Sequence, residues 1–73
     1  MRYNIEVTIE CRTKEAAKDL AAFILYSGFM PFVDDTMISL IAKNVDRVAL
    51  EYLVEAIEED DRVVSSSFHR TPF

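Results

Sequence analysis

The longest uncharged stretch of this chain constrains its fold more than any other segment. It runs from Leu20 to Val33, LAAFILYSGFMPFV, and contains Gly28, the only glycine. A membrane-spanning helix needs about 20 apolar residues, so the stretch is too short to cross a bilayer, and Pro31 interrupts it. Glycine ends helices readily because it adopts the left-handed conformation without strain. We therefore predict a helix that ends near Ser27, followed by a short strand over 29–33.

The N-terminal segment alternates apolar and polar residues. Its apolar residues fall on one face of an extended chain, namely Tyr3, Ile5, Val7, Ile9 and Cys11. Alternation at period two predicts a strand with one buried and one solvated face. A sheet with one wet face indicates an α+β architecture, because parallel sheets are usually covered on both faces.

The first helix is predicted to begin at Thr13, whose hydroxyl can cap the first turn. In its first half the outward face is charged. Toward its end that face becomes Ala22, Leu25 and Tyr26, so the helix is apolar nearly all round at its end. After the 29–33 strand, Asp34, Asp35 and Thr36 predict a hairpin turn that leads into a third strand over 37–42.

The second helix is predicted to begin at Asn44, a favoured N-cap residue, with Asp46 in its first turn. Its predicted core arc is Val45, Val48, Ala49, Tyr52, Leu53, Ala56 and Ile57. Leu50 and Val54 flank that arc and would pack against the first helix. A weak fourth strand is predicted over 62–69 with Val64 and Phe68 facing the core, and residues 70–73 are expected to be a mobile tail.

This order of elements, β-α-β-β-α-β, resembles the ferredoxin-like fold. Right-handed crossovers predict a four-stranded antiparallel sheet in the order 4-1-3-2, with two helices on one face. The strand containing Pro31 and the serine-rich fourth strand then lie at the edges, where proline is tolerated. We expect a single domain over 1–73, and the main alternative is a swapped dimer built from the same elements.

Charge, cysteine content and the N-terminal sequence bear on the class of function and on the compartment. A formal net charge of −5 disfavours binding to nucleic-acid phosphates, which requires clustered Lys and Arg. Cys11 is the only cysteine, so no intrachain disulfide can form, and this fits a reducing compartment. The N-terminus lacks the apolar segment of a signal peptide. We expect a soluble cytoplasmic protein without a membrane contact.

No motif for catalysis, a metal or a cofactor stands out. Asp34 and Asp35 are explained by the chemistry of a hairpin turn that is open to water. Cys11 lies on the predicted buried face, where cysteine acts as a small apolar residue, and His69 lies near the C-terminus. No triad or metal-ligand set can be built from one histidine and one cysteine. We therefore expect a non-enzymatic protein.

One candidate interaction surface is acidic: Glu51, Glu55, Glu58, Glu59, Asp60 and Asp61. It could mimic nucleic-acid phosphates and occupy a basic partner, as in an inhibitor of the kind phages encode that blocks a host nuclease or regulator. The simpler explanation, which we favour, is a solvated helix face followed by a charged turn.

A second candidate surface is apolar: Ala22, Leu25, Tyr26, Phe29, Met30 and Phe32. Contiguous exposed apolar residues usually mark a partner site, although helix 2 and Phe73 could cover them. The uncharged edge over 65–68 also invites strand pairing. The leading hypothesis is a protein-interaction module that forms a homodimer through this surface or a sheet edge. The alternatives are the acidic inhibitor and a domain that senses a small molecule at a dimer interface.

Overall fold

The ferredoxin-like α+β fold is confirmed. A computed structural model describes residues 1–73, and its elements are β1 (Arg2–Cys11), α1 (Lys14–Tyr26), β2 (Pro31–Asp34), β3 (Met37–Asp46), α2 (Arg47–Glu58) and β4 (Val63–Pro72). The strands form one antiparallel sheet in the order β2-β3-β1-β4. This is the predicted order, written from the opposite edge.

The core lies between the two helices and one face of the sheet. All 14 buried residues are apolar, and they include every second residue of β1 from Ile5 to Cys11. The helices contribute Ala17, Leu20, Ala21, Ile24, Leu50, Leu53 and Ile57. The polar residues of β1 point to the other face, which is open to water. The alternation in the N-terminal sequence therefore identified both the strand and its buried face correctly.

The end of α1 follows the predicted break at Gly28. Thr13 caps the start by accepting a hydrogen bond from the Ala16 N–H at 3.0 Å. At the other end Gly28 has φ +98°, and the Phe29 N–H donates to the Ile24 carbonyl at 3.2 Å. This is the hydrogen bond of a Schellman ending, in which glycine takes the left-handed position. Because Phe29 belongs to this helix ending, β2 starts at Pro31, two residues later than predicted.

The predicted start of the second helix at Asn44 is wrong. β3 continues to Asp46, and Asn44 lies in a bulge opposite β1 with φ 57°. Asparagine tolerates this left-handed conformation, and a bulge supplies the extra residue that requires it. The Asn44 N–H donates to the Asn4 side chain at 3.2 Å. Asp46 is the actual cap, because its carboxylate accepts from the Val48 N–H at 3.0 Å.

The predicted core arc of α2 is rotated by roughly a quarter turn from the actual one. Leu50, Leu53 and Ile57 are buried, whereas Val48 is 72% and Tyr52 is 63% exposed. Ala49 is also exposed, and Ala56 is half-buried. Leu53, Ile57 and Val45, which lies in β3, were assigned to the core correctly. The helix is apolar over more than half of its surface, so its large aliphatic side chains take the interior and Tyr52 keeps its hydroxyl in water.

The fourth strand differs from its prediction at both ends. A register shift between Glu10 and Cys11 brings Val63 against the core, and Val64 is 57% exposed. Phe68 is half-buried against the core, as predicted. The strand does not end at His69, because residues 70–72 also pair with β1. The segment assigned to a mobile tail therefore lies in the sheet up to Pro72.

Candidate functional site

A groove opens between the end of α1 and the start of α2. It has a volume of about 600 Å³, and seven of its nine lining residues are hydrophobic. The lining residues are Phe23, Tyr26, Ser27, Phe29, Asp46, Val48, Ala49, Tyr52 and Leu53. The buried aliphatic side chains of the helices, such as Leu20, Ile24 and Ile57, pack in the core, and the groove is lined mainly by aromatic and smaller side chains. We call this the interhelix groove.

The predicted apolar surface is divided between different parts of the molecule. Tyr26 and Phe29 line the interhelix groove, with Tyr26 93% exposed and Phe29 half-buried. Leu25 and Met30 are exposed but do not line it, and neither does the exposed Ala22. Phe32 is opposite Ser39 in the β2–β3 pair, so its side chain lies on the open face of the sheet, away from the helices.

Three residues of the interhelix groove were missed because their spacing in the sequence placed them in the predicted core. They are Val48, Ala49 and Tyr52, all on the exposed side of α2. One signal could have identified them. A tyrosine in the middle of a core arc needs a hydrogen-bond partner for its hydroxyl, whereas Leu50, Leu53 and Ile57 can be buried without one.

The acidic residues of α2 and of the segment that follows it are exposed, except for Asp60. Glu51, Glu55, Glu58, Glu59 and Asp61 face solvent. The side chain of Asp60 is only 16% exposed and binds Arg62, with Nη2–Oδ2 and Nε–Oδ1 distances of 2.6 and 2.9 Å. These hydrogen bonds lower the pKa of Asp60, against the opposing effect of its burial. Asp60 is therefore part of a turn, not of the acidic surface.

A second groove runs between α2 and the outer edge of β4, and we call it the α2–β4 groove. One part of about 240 Å³ is lined mainly by apolar residues, including Leu50, Val54 and Phe68. The adjoining part of about 310 Å³ is lined by four glutamates of the acidic surface, together with Arg70. Arg70 also stacks over the Tyr3 ring at 5.1 Å. The acidic surface therefore forms one wall of a groove rather than a flat helix face.

The residue types with potential chemistry are scattered. Cys11 is buried, and desolvation raises the pKa of its thiol, with the Asp60 carboxylate acting in the same direction and Arg62 opposing. His69 pairs with Glu6 on the open face of the sheet. Asp35 lies in the hairpin turn, 3.5 Å from Lys14. No group of three His, Cys, Asp or Glu side chains is arranged to hold a metal ion.

Neither helix has the length and hydropathy needed to cross a membrane. No protein-family model, no curated protein and no solved structure matches this chain. Inference about function therefore depends on the surfaces themselves.

Proposed function

We propose that this chain is a non-enzymatic protein-interaction module that forms a homodimer through the interhelix groove. The observation that supports it is the exposure of large apolar side chains around one concave surface. Tyr26, Val48 and Tyr52 are 93%, 72% and 63% exposed and line the same groove. Single exposed apolar residues are ordinary, but a cluster with aromatic members is characteristic of a protein contact.

The charge of the interhelix groove favours a second copy as its occupant. Asp46 is the only charged residue that lines it. Its carboxylate already caps α2 and lies 3.8 Å from Arg2. A twofold dimer places the same surface against itself, and here that brings no unpaired like charges together. A standard interface buries about 800 Å² per partner, roughly a sixth of the 4913 Å² surface of this chain.

The acidic surface supports a second candidate, a protein that binds a basic partner. Four exposed glutamates follow one side of α2. Fewer free carboxylates are present than the sequence suggested, because Arg62 neutralises Asp60 and Arg47 lies 3.1 Å from Glu51. We therefore rank the apolar contact first.

Sedimentation equilibrium of three proteins tests the homodimer. We expect the wild-type chain to dimerise at micromolar concentration and Tyr52→Glu to weaken the dimer by about 100-fold, because each of the two subunits would bury a charge in the contact. The matched control is Ile41→Glu, which adds the same charge at a residue that is 70% exposed on the opposite face of the sheet. It should leave the dimer unchanged.

Two results would contradict this proposal. One is a wild-type chain that stays monomeric at several hundred micromolar. The other is a dimer that Ile41→Glu disrupts as strongly as Tyr52→Glu, since the contact would then lie on the sheet. Circular dichroism spectra of the variants establish that each one is folded, which we expect because both side chains are largely exposed.

A further inference from the structure

The outer edge of β4 is not paired with another strand. The Phe73 N–H donates to the Arg2 carbonyl at 3.0 Å. Hydrogen bonds alternate along an antiparallel pair, so this bond determines which residues of β4 turn their backbone groups away from β1. Those residues are Ser66, Phe68 and Arg70. The segment 64–68 carries no charge, and an uncharged edge is a template for another strand.

A strand added at this edge would meet the α2–β4 groove. In a sheet, residues directly opposite each other share a face, and Phe68 and Arg70 lie on the helix side. Partner residues paired with them would also point toward α2. There they would contact the apolar floor at Leu50 and Val54 and the wall of glutamates. Backbone pairing would supply affinity, and the groove would select the side chains.

The charge of the groove identifies the occupant. Glu51 has Arg47 as a partner, but Glu55, Glu58 and Glu59 make no ion pair, and Arg70 is the only cation that lines this groove. A second copy joined edge to edge would bring its own glutamates to the same place, and like charges across an interface oppose binding. A strand with basic residues on its helix-facing side would instead be attracted.

We propose that the β4 edge and the α2–β4 groove bind an extended basic segment of a partner protein, with Lys or Arg at the positions that face the glutamates of α2. This site is separate from the interhelix groove and does not depend on the homodimer. It would let one surface hold a second copy while the other holds a partner chain.

Fluorescence anisotropy with labelled synthetic peptides and the full chain tests the proposal. The probe is the heptapeptide Lys-Thr-Lys-Thr-Lys-Thr-Lys. One control peptide has glutamate in place of every lysine. Another carries lysine methylated at the backbone nitrogen at the third and fifth positions, which keeps the charge but removes two backbone hydrogen-bond donors. We expect saturable binding of the probe, no binding of the acidic peptide, and about tenfold weaker binding of the methylated one.

Variants of the protein separate backbone pairing from charge. Ser66→Pro removes an outward N–H, and an edge position tolerates proline. It should weaken probe binding by about tenfold, whereas Ser66→Ala keeps the N–H and should not. Glu55→Gln combined with Glu58→Gln should also weaken binding, and added salt should abolish what remains.

Three outcomes would overturn this proposal. Equal binding of the methylated and unmethylated peptides would mean attraction by charge without strand pairing. Unchanged binding by the double glutamine variant would mean that α2 does not contact the occupant. A wild-type dimer that Ser66→Pro abolishes, and that Ser66→Ala and Tyr52→Glu preserve, would assign the edge to a second copy.

Discussion

Removal of the Asp60 carboxylate tests whether the turn between α2 and β4 depends on one side chain. Asp60 accepts three hydrogen bonds from Arg62: two from the guanidinium and one, at 2.9 Å, from the backbone N–H. The Val63 N–H donates to the Asp60 carbonyl at 3.1 Å at the start of β4. The carboxylate therefore fixes the backbone that carries the chain from the helix into the edge strand.

The magnitude follows from these contacts. A hydrogen bond to a charged group contributes about 1.5–3 kcal/mol. Three such bonds at one carboxylate are not additive, and the Arg62 side chain is 38% exposed, so solvent screens part of the interaction. We expect Asp60→Ala to lower the free energy of unfolding by about 2 kcal/mol, which corresponds to a fall in Tm of about 10 °C for a domain of this size. The free energy of unfolding of Asp60→Asn, which keeps one acceptor oxygen, should lie between those of wild type and Asp60→Ala.

Urea unfolding at several pH values measures the effect, with Asp61→Ala as the matched control. Asp61 is exposed, and the Arg12 Nε binds its backbone carbonyl rather than its side chain, so the control should change stability by less than about 0.5 kcal/mol. The pKa of Asp60 is lowered on folding, so its contribution is present above about pH 3.9 and is lost as the pH falls through the folded-state value. Wild type and Asp60→Ala should therefore converge in acid. Equal losses in the two alanine variants, or a gap that stays constant into strong acid, would refute the reasoning.

Two other predictions concern the core. Ile57→Ala should cost about 3 kcal/mol in urea unfolding because Ile57 is fully buried, whereas Val48→Ala should cost less than about 0.5 kcal/mol; the reverse ranking would contradict the observed rotation of α2. The Cys11 thiol has a raised pKa in the folded state, so its contribution is present below about pH 8.5 and is lost as the pH rises toward the folded-state value. Wild type should therefore lose stability relative to Cys11→Ala in alkaline solution, and parallel pH profiles of the two proteins would rule this out.

The sequence predicted the architecture well because its strongest patterns are local. The alternation of β1 identified a strand and its buried face. The only glycine identified the end of α1, since few other residues adopt φ +98° without strain. Strand order followed from the right-handed crossovers of the β-α-β-β-α-β pattern, and Pro31 and the serines of β4 agreed with it because both fit edges better than the centre.

The errors arose where a choice depends on tertiary structure. Two bulges change which side chains face the core, at Asn44 in β3 and beside Val64 in β4, and a shift of one residue reverses the face that a strand presents. No local sequence pattern indicates either bulge. The broad apolar surface of α2 permits several rotations, and only packing against the sheet selects one. The groove residues Val48 and Tyr52 were missed for that reason.

The pairing of Asp60 with Arg62 was missed for a different reason. The two residues are separated by one position, a spacing that helical patterns do not bring together. It becomes favourable only in the turn that follows α2, whose shape the sequence does not reveal. As a result, the predicted acidic surface contained one carboxylate that is already neutralised.

The two edges of the sheet are unequal, and this limits how the protein can assemble. β2 has only four residues and begins with Pro31, which offers no N–H, whereas β4 has ten residues and an uncharged centre. An open filament made by sheet extension needs two compatible edges on every subunit. Each copy of this chain therefore offers one long edge with an uncharged centre at β4 and no matching edge at β2. Pairing of another strand with β4 would therefore not by itself build a fibre of this chain.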